Sequence, residues 1–203
     1  MSLVLSLPAQ AGPWLREEGG TYLSFTAEIA EYDETEGWLS VYGERGVRPG
    51  LTLGLDAGGR HDGTSAKALV FARLPIVGKG DWRVAAHLGG GAWLDGGEVT
   101  PVLRPGLSVG RGFGLWQGGW AAADLNANVA ATGRTTFDLD GVLGLRPDWG
   151  GALLLGLRAS GDGLRLVPGY ERPVGPARLA ASAVLDPRGE APPALSLRTA
   201  LEF

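Results

Sequence analysis

The chain has 203 residues, enough for one domain with a sizeable core or one barrel of moderate size, and nothing in its composition signals a second domain. A net charge of only -4, basic residues that are arginine except at Lys67 and Lys79, and no basic patch argue against a nucleic-acid partner, while the absence of cysteine excludes disulfides, thiol nucleophiles and cysteine metal sites. Hydrophobic residues make up 44% of the chain, yet mean hydropathy is only +0.05 and no run approaches the roughly 18 apolar residues of a membrane-spanning helix.

Residues 1–11, MSLVLSLPAQA, are an apolar run ending in Ala9-Gln10-Ala11, the small-x-small pattern of a signal-peptidase site, although the usual positive n-region is missing. We expect residues 1–11 to be a signal-peptide remnant and residues 12–203 to form a single domain beginning near Gly12. The alternative is simply a short apolar start.

From there the sequence alternates with period two, the mark of strands with one apolar and one polar face. Leu23, Phe25, Ala27 and Ile29 oppose Ser24, Thr26 and Glu28 over Tyr22 to Ala30; Leu39 and Val41 oppose Ser40, Tyr42 and Glu44; Leu51, Leu53, Leu55 and Ala57 oppose Thr52, Gly54 and Asp56. The fourth segment, Ala66 to Leu74, sets Ala66, Ala68, Val70 and Ala72 against Lys67 and Arg73, but Leu69 and Phe71 join the charged row, so a helix is also compatible. In the fifth, Trp82, Val84, Ala86 and Leu88 face away from Arg83, Ala85 and His87, and Asp95-Gly96-Gly97 provides a tight turn into the sixth, where Leu103, Leu107 and Val109 oppose Arg104, Gly106 and Ser108.

The seventh segment, Trp116 to Val129, is alanine-rich and helix-like, yet Asp124 and Asn126 alternate with Ala123, Leu125 and Ala127. The eighth opposes Phe137, Leu139, Leu143 and Leu145 to Asp138 and Asp140; the ninth opposes Leu153, Leu155, Leu157 and Ala159 to Gly156, Arg158 and Ser160, ending in the turn Gly161-Asp162-Gly163. The tenth, Leu164 to Tyr170, carries Arg165 and is interrupted by Pro168, and the eleventh runs from Arg178 to Asp186. In the twelfth, Leu195, Leu197, Thr199, Leu201 and Phe203 lie on one face, with Ser196, Arg198 and Glu202 on the other.

Segments of this length joined by short turns predict antiparallel neighbours, and about 12 strands in all, or 10 if the ambiguous segments fail. An even count puts both ends of the barrel wall on one side. The loops opposite would be YDETEG, GGRHDGTS, DGGEVT, ATGR, GDG and PRGEAPP, all too short for a lid or plug. Trp14, Trp38, Trp82, Trp93, Trp116, Trp149 and Tyr170 fall at strand ends, as interfacial girdles would require.

The last strand, with its apolar outer row and terminal Phe203, resembles the C-terminal signal by which proteobacterial outer-membrane β-barrels are recognised for insertion. The resemblance implies an all-β, antiparallel, up-and-down transmembrane barrel of the Gram-negative outer membrane, with outer-membrane lipid and the barrel-assembly machinery as partners. A soluble sandwich or barrel would separate the same rows with its charges facing outward water. An apolar row made largely of single Leu, Val and Ala suits fluid lipid better than a closed core.

In the membrane reading the lumen is lined by Glu28, Asp56, Lys67, Arg73, Arg83, His87, Arg104, Ser108, Asp124, Asp138, Asp140, Arg158, Arg165 and Arg198. The hairpin at Gly96 brings His87 beside Gly106 and diagonal to Ser108, a pairing that some barrel lipases use, but those hold it on the lipid face, whereas His87 points inward; a lumen hydrogen bond is the expected outcome. His61 reads as a solvated loop histidine. Asp138 and Asp140 share one strand face and are expected to join an ion network with Arg104, Arg158 and Arg165 rather than a metal or proton-sharing site. GRGFG near residue 110 lacks the context of a dinucleotide loop, and no cofactor is implied. The function expected is a passive channel for small solutes. A structural barrel with a closed lumen and a lipid-modifying hydrolase remain as further readings.

Overall fold

The computed structural model describes residues 12–30, 37–161 and 163–203. The expected signal remnant, YDETEG except Gly37, and Asp162 lie outside the described residues. Twelve strands follow one another: β1 (Thr21–Ala30), β2 (Trp38–Arg48), β3 (Leu51–Arg60), β4 (Ser65–Lys79), β5 (Trp82–Asp95), β6 (Glu98–Phe113), β7 (Gly119–Ala130), β8 (Thr135–Leu145), β9 (Ala152–Ser160), β10 (Gly163–Val174), β11 (Ala177–Val184) and β12 (Ala194–Glu202). Each pairs antiparallel with its chain neighbours, and β1 pairs with β12 to close the barrel, so no strand edge is left unpaired.

The expected fold class, an antiparallel up-and-down barrel of about 12 strands, is the one observed. Its ambiguous segments resolve as strands. β4 stays extended because Leu69 and Phe71 face inward with Lys67 and Arg73, which makes the apparently mixed row a lumen row. The seventh element begins at Gly119 rather than Trp116, because residues 114–118 turn the chain and Trp116 adopts a left-handed φ of 54°. β10 runs through Pro168: its ladder to β11 is interrupted between Leu166↔Leu185 and Gly169↔Ser182, where proline has no N–H to give, and resumes in register. The eleventh strand ends at Val184, leaving Asp186 in a loop.

One rim, here the near rim, carries the start of β1 and the end of β12; the other is the far rim. Gly96 and Gly97 form the far-rim β5–β6 turn with φ of 56° and 90°, a mirror-image hairpin turn that matches strand twist. The apolar rows all point outward. Phe25, Leu55, Val70, Leu88, Leu107, Leu125, Leu155 and Leu197 are exposed around the circumference, a continuous apolar belt that a water-soluble surface does not carry. The charged rows point into the lumen.

The tryptophans divide, correcting the expectation of a girdle made from all of them. Trp82, Trp116 and Trp149 are exposed, the last stacked on Tyr170 with ring centroids 5.5 Å apart, and all belong to the near rim. Trp14, Trp93 and Trp120 instead face inward: Trp120 is buried with Ala152, Leu154 and Ala180, with Trp14 packed on that cluster, and Trp93 packs on Leu69, Val102 and Ala130. Trp38 lies over Gly58 on the lumen side.

Candidate functional site in the barrel lumen

The near mouth is occupied by residues 12–20, a strap that sequence reasoning missed in expecting no plug. Pro13 is fully buried, and Trp14 and Pro13 lie against Gly110 of β6. The Arg16 N–H donates to the Thr52 hydroxyl (3.0 Å), and the Arg16 guanidinium pairs with Glu44 (2.7 Å) and Glu202 (3.3 Å) and lies over the Tyr22 ring. Its lack of alternation hid this segment; Arg16 beside Trp14 in a short non-strand run was the available signal.

Glu44 is the hub of the near half. It accepts from Arg16, from Arg73 and from the Tyr42 hydroxyl (2.6 Å), and its side chain is fully enclosed. Glu171 is a second hub, pairing with Arg178 (3.3 Å) and Arg198 (2.9 Å). Neither hub was among the expected lumen residues; the parity of β10, carried past Pro168 through Val167 and Gly169, identifies Glu171.

Deeper in, Asp56 accepts from both Lys67 (2.8 Å) and Arg104 (2.8 Å), and Arg104 also reaches Asp138 at 3.7 Å. Asn128 donates to Asp138 at 2.6 Å. Arg158 of β9 bonds to Glu28 of β1 across the intervening strands. Arg165 pairs with Asp186 of the far-rim loop (2.9 Å) rather than with Asp138 or Asp140, and Arg83 folds back at the near rim to donate to the carbonyls of Gly80 and Trp82.

The expected register of the β5–β6 hairpin is observed, with His87 opposite Gly106. His87 and Ser108 nevertheless serve different partners: His87 Nε2 lies 2.7 Å from Asn126 Oδ1, and the fully buried Ser108 hydroxyl donates to Asp124. Aromatic rings lie flat on the wall because glycine sits opposite. A Cβ on Gly54 would stand 2.1 Å from the Phe71 ring, and one on Gly106 would stand 2.2 Å from His87 Nε2. The rings of Tyr22, Tyr42, Phe71 and His87 follow one another at centroid spacings of 6.2, 5.8 and 6.0 Å.

The described residues enclose two adjoining cavities in the lumen. One, of about 230 Å³, is lined by Tyr42, Phe71, His87 and the charged groups of β3 to β8; the other, of about 220 Å³, lies towards β9 to β12 and β1. Asp124 and Asp140 line both. Among the described residues no group of His, Asp and Glu is arranged to hold a metal ion. On the outside, among the described residues, the strand-borne cations are Arg45, Arg48, Lys79, Arg111 and Arg172, all at the near rim; Arg111 lies over Trp82, its guanidinium carbon 5.5 Å from the ring centroid.

The KdgM porin has the same architecture, at a TM-score of 0.65 and 9% identity over 90% of this chain and 98% of that one. Its complex with disordered oligogalacturonate aligns equally well, with a TM-score of 0.66. An outer-membrane channel from Pseudomonas putida F1 matches at a TM-score of 0.55 and 12% identity over 97% and 99% of the two chains, and the β domain of the Bordetella autotransporter BrkA at 0.51 and 17% over 92% and 99%. The fold is that of an outer-membrane β-barrel. No family model and no curated protein matches the sequence. At these identities the likeness is one of fold.

Proposed function

We propose that the chain is a passive outer-membrane channel for small polar solutes, narrowed at its near mouth by residues 12–20. The observation that carries this reading is the pair of lumen cavities meeting at Asp124 and Asp140: a barrel built only for support has no need of adjoining polar cavities. The porin and channel neighbours support it. The near-rim collar of Arg45, Arg48, Lys79, Arg111 and Arg172 among exposed tryptophans suits anionic phospholipid headgroups and orients that rim to the periplasm. The outward row of β12, ending in Phe203, is the segment we assign to recognition by the barrel-assembly machinery.

The strap and the ion pair between Glu28 and Arg158 favour the structural, closed-lumen barrel as second reading. A hydrolase is disfavoured by the burial of Ser108 and its bond to Asp124 instead of His87. Planar-bilayer recording on refolded barrel, verified by heat-modifiable gel migration, separates the first two. Discrete conductance that grows when residues 12–20 are deleted supports the channel. Silence in both wild type and deletion selects the structural barrel.

A further inference from the structure

We infer that the lumen cavity beside Phe71 and His87 binds a small zwitterion, a free α-amino acid or short peptide, with its carboxylate towards β4 and β6 and its ammonium towards β7 and β8. The inference specifies the solute of the proposed channel and rests on that reading for the solute's passage, though not for its binding.

The cavity's charges are sorted by wall. Lys67 and Arg73 of β4 and Arg104 of β6 form one side. Lys67 and Arg104 converge on Asp56, Arg104 reaches Asp138 only at 3.7 Å, and Arg73 shares Glu44 with Arg16, so the three cations on this side answer at hydrogen-bond distance to Asp56 and to a Glu44 that also serves Arg16. Asp124 of β7 and Asp140 of β8, register partners, form the other side. Asp124 is bonded to the neutral Ser108 hydroxyl, and Asp140 makes no hydrogen bond or ion pair among the described residues. Arg158, the register partner of Asp140 on β9, is turned to Glu28. Negative charge therefore stands in excess here.

A second observation is independent of the carboxylates. Four buried side-chain polar atoms lack a partner among the described residues, and three of them, Arg73 Nε, Arg104 Nε and His87 Nδ1, belong to residues lining this one cavity. Arg73 is only 3% exposed, so its unpaired N–H is a standing cost that an anionic group at this wall would relieve. Leu69 and Phe71, between Lys67 and Arg73 on β4, supply with Tyr42 of β2 an apolar surface beside the cations, suited to a solute's side chain.

Opposed charge across a low-dielectric space makes a transverse field. A neutral solute gains little from it, and an ion of either sign is attracted by one wall and repelled by the other. A molecule bearing both charges a few bonds apart satisfies both walls, and about 230 Å³ holds an amino acid.

The test is calorimetric titration of the full chain, folded in detergent, with L-leucine, isoamylamine, which lacks the carboxylate, and isocaproate, which lacks the ammonium. L-leucine is expected to bind about tenfold more tightly than either, the worth of one charge-assisted hydrogen bond. Asp140→Asn should erase its advantage over isocaproate, and Arg104→Gln or Lys67→Met its advantage over isoamylamine. Asp140 has no partner to lose, so its variant should keep the heat-modifiable fold; Lys67→Met substitutes should Arg104→Gln fail to fold. Equal binding of the three compounds, no binding of any, or unchanged L-leucine affinity in Asp140→Asn overturns the inference. A barrel that binds L-leucine but never conducts would retain the site and refute the channel; one that conducts without preference would do the reverse.

Discussion

Gly46 and Glu17 approach so closely that a Cβ on Gly46 would stand 2.0 Å from the Glu17 carbonyl oxygen. That contact docks the strap against β2, beside the irregularity in the β2–β3 ladder between Gly46 and Arg48, and it is secured by two backbone bonds: Gly19 N–H to the Gly46 carbonyl (2.8 Å) and Gly46 N–H to the Gly20 carbonyl (3.0 Å). Gly46→Ala should dislodge the strap and break both. At about 1 kcal/mol per bond, the ratio of docked to released strap should fall by roughly tenfold or more. Single-channel conductance is the readout, and a larger or longer-lived open level is expected; an unchanged level would show that residues 12–20 do not close the mouth.

Glu44 answers two buried arginines at once, Arg16 with 8% and Arg73 with 4% of the side chain exposed. Glu44→Gln leaves Arg73 enclosed without its counter-ion and Arg16 with only the more exposed Glu202, which should cost about 3–5 kcal/mol and lower the urea midpoint for loss of heat-modifiable migration. Arg158→Gln, which removes a half-open pair with Glu28, should cost about 1 kcal/mol or less. Equal midpoints for the two variants would contradict the central position given to Glu44.

The glycines opposite the aromatic rings decide how much lumen is left. Adding a methyl at Gly54 or Gly106 displaces the Phe71 or His87 ring, and the cavity that both rings line is the available space. Gly54→Ala and Gly106→Ala should therefore reduce conductance without unfolding the barrel. Gly161→Ala, where a Cβ meets nothing within 4 Å, should leave it unchanged. Reduced conductance in all three would point to a general defect of insertion.

Strand number, order and facing were readable because alternation with period two is local and each turn carries its own chemistry. Leu69 and Phe71 looked like faults in the pattern of β4, but a lumen wall tolerates apolar residues where rings lie over glycine, as Phe71 does on Gly54. The direction of the rows was beyond the sequence, since a soluble barrel and a membrane barrel differ by inversion of the same pattern; the exposed positions of Phe25, Val70 and Leu125 settle it. Partner choice was also hidden. Ser108 pairs with Asp124, its register partner on β7, and His87 reaches across β6 to Asn126, neither of which the spacing along the β5–β6 hairpin encodes. The strap escaped because it has neither period two nor a helix, and its anchor at Glu44 lies 28 residues away from Arg16.

Two far-rim loops are expected to respond to acid. The Asp186 carboxylate accepts the backbone N–H groups of Arg188 (2.9 Å), Ala191 (3.0 Å) and Glu190 (3.2 Å), and these bonds, Arg188 foremost, with the nearby Arg165 charge hold its pKa below the usual carboxylate value. In the β3–β4 loop the Thr64 hydroxyl and N–H, aided by Arg60, lower Asp62 from 3.8 to about 2. A carboxyl group whose folded pKa is depressed stabilises its loop when ionised. Both contributions should be complete above pH 3.8, and that of Asp62 should fade as pH drops through about 2. Amide chemical shifts of Thr64, Arg188 and Ala191, followed in detergent from neutral to strongly acid pH, should move together with their acceptor's protonation, and Asp186→Asn should abolish the transition at Arg188 and Ala191 while leaving that at Thr64. A transition near pH 4 at all three amides would mean that the loop bonds do not hold these carboxylates ionised.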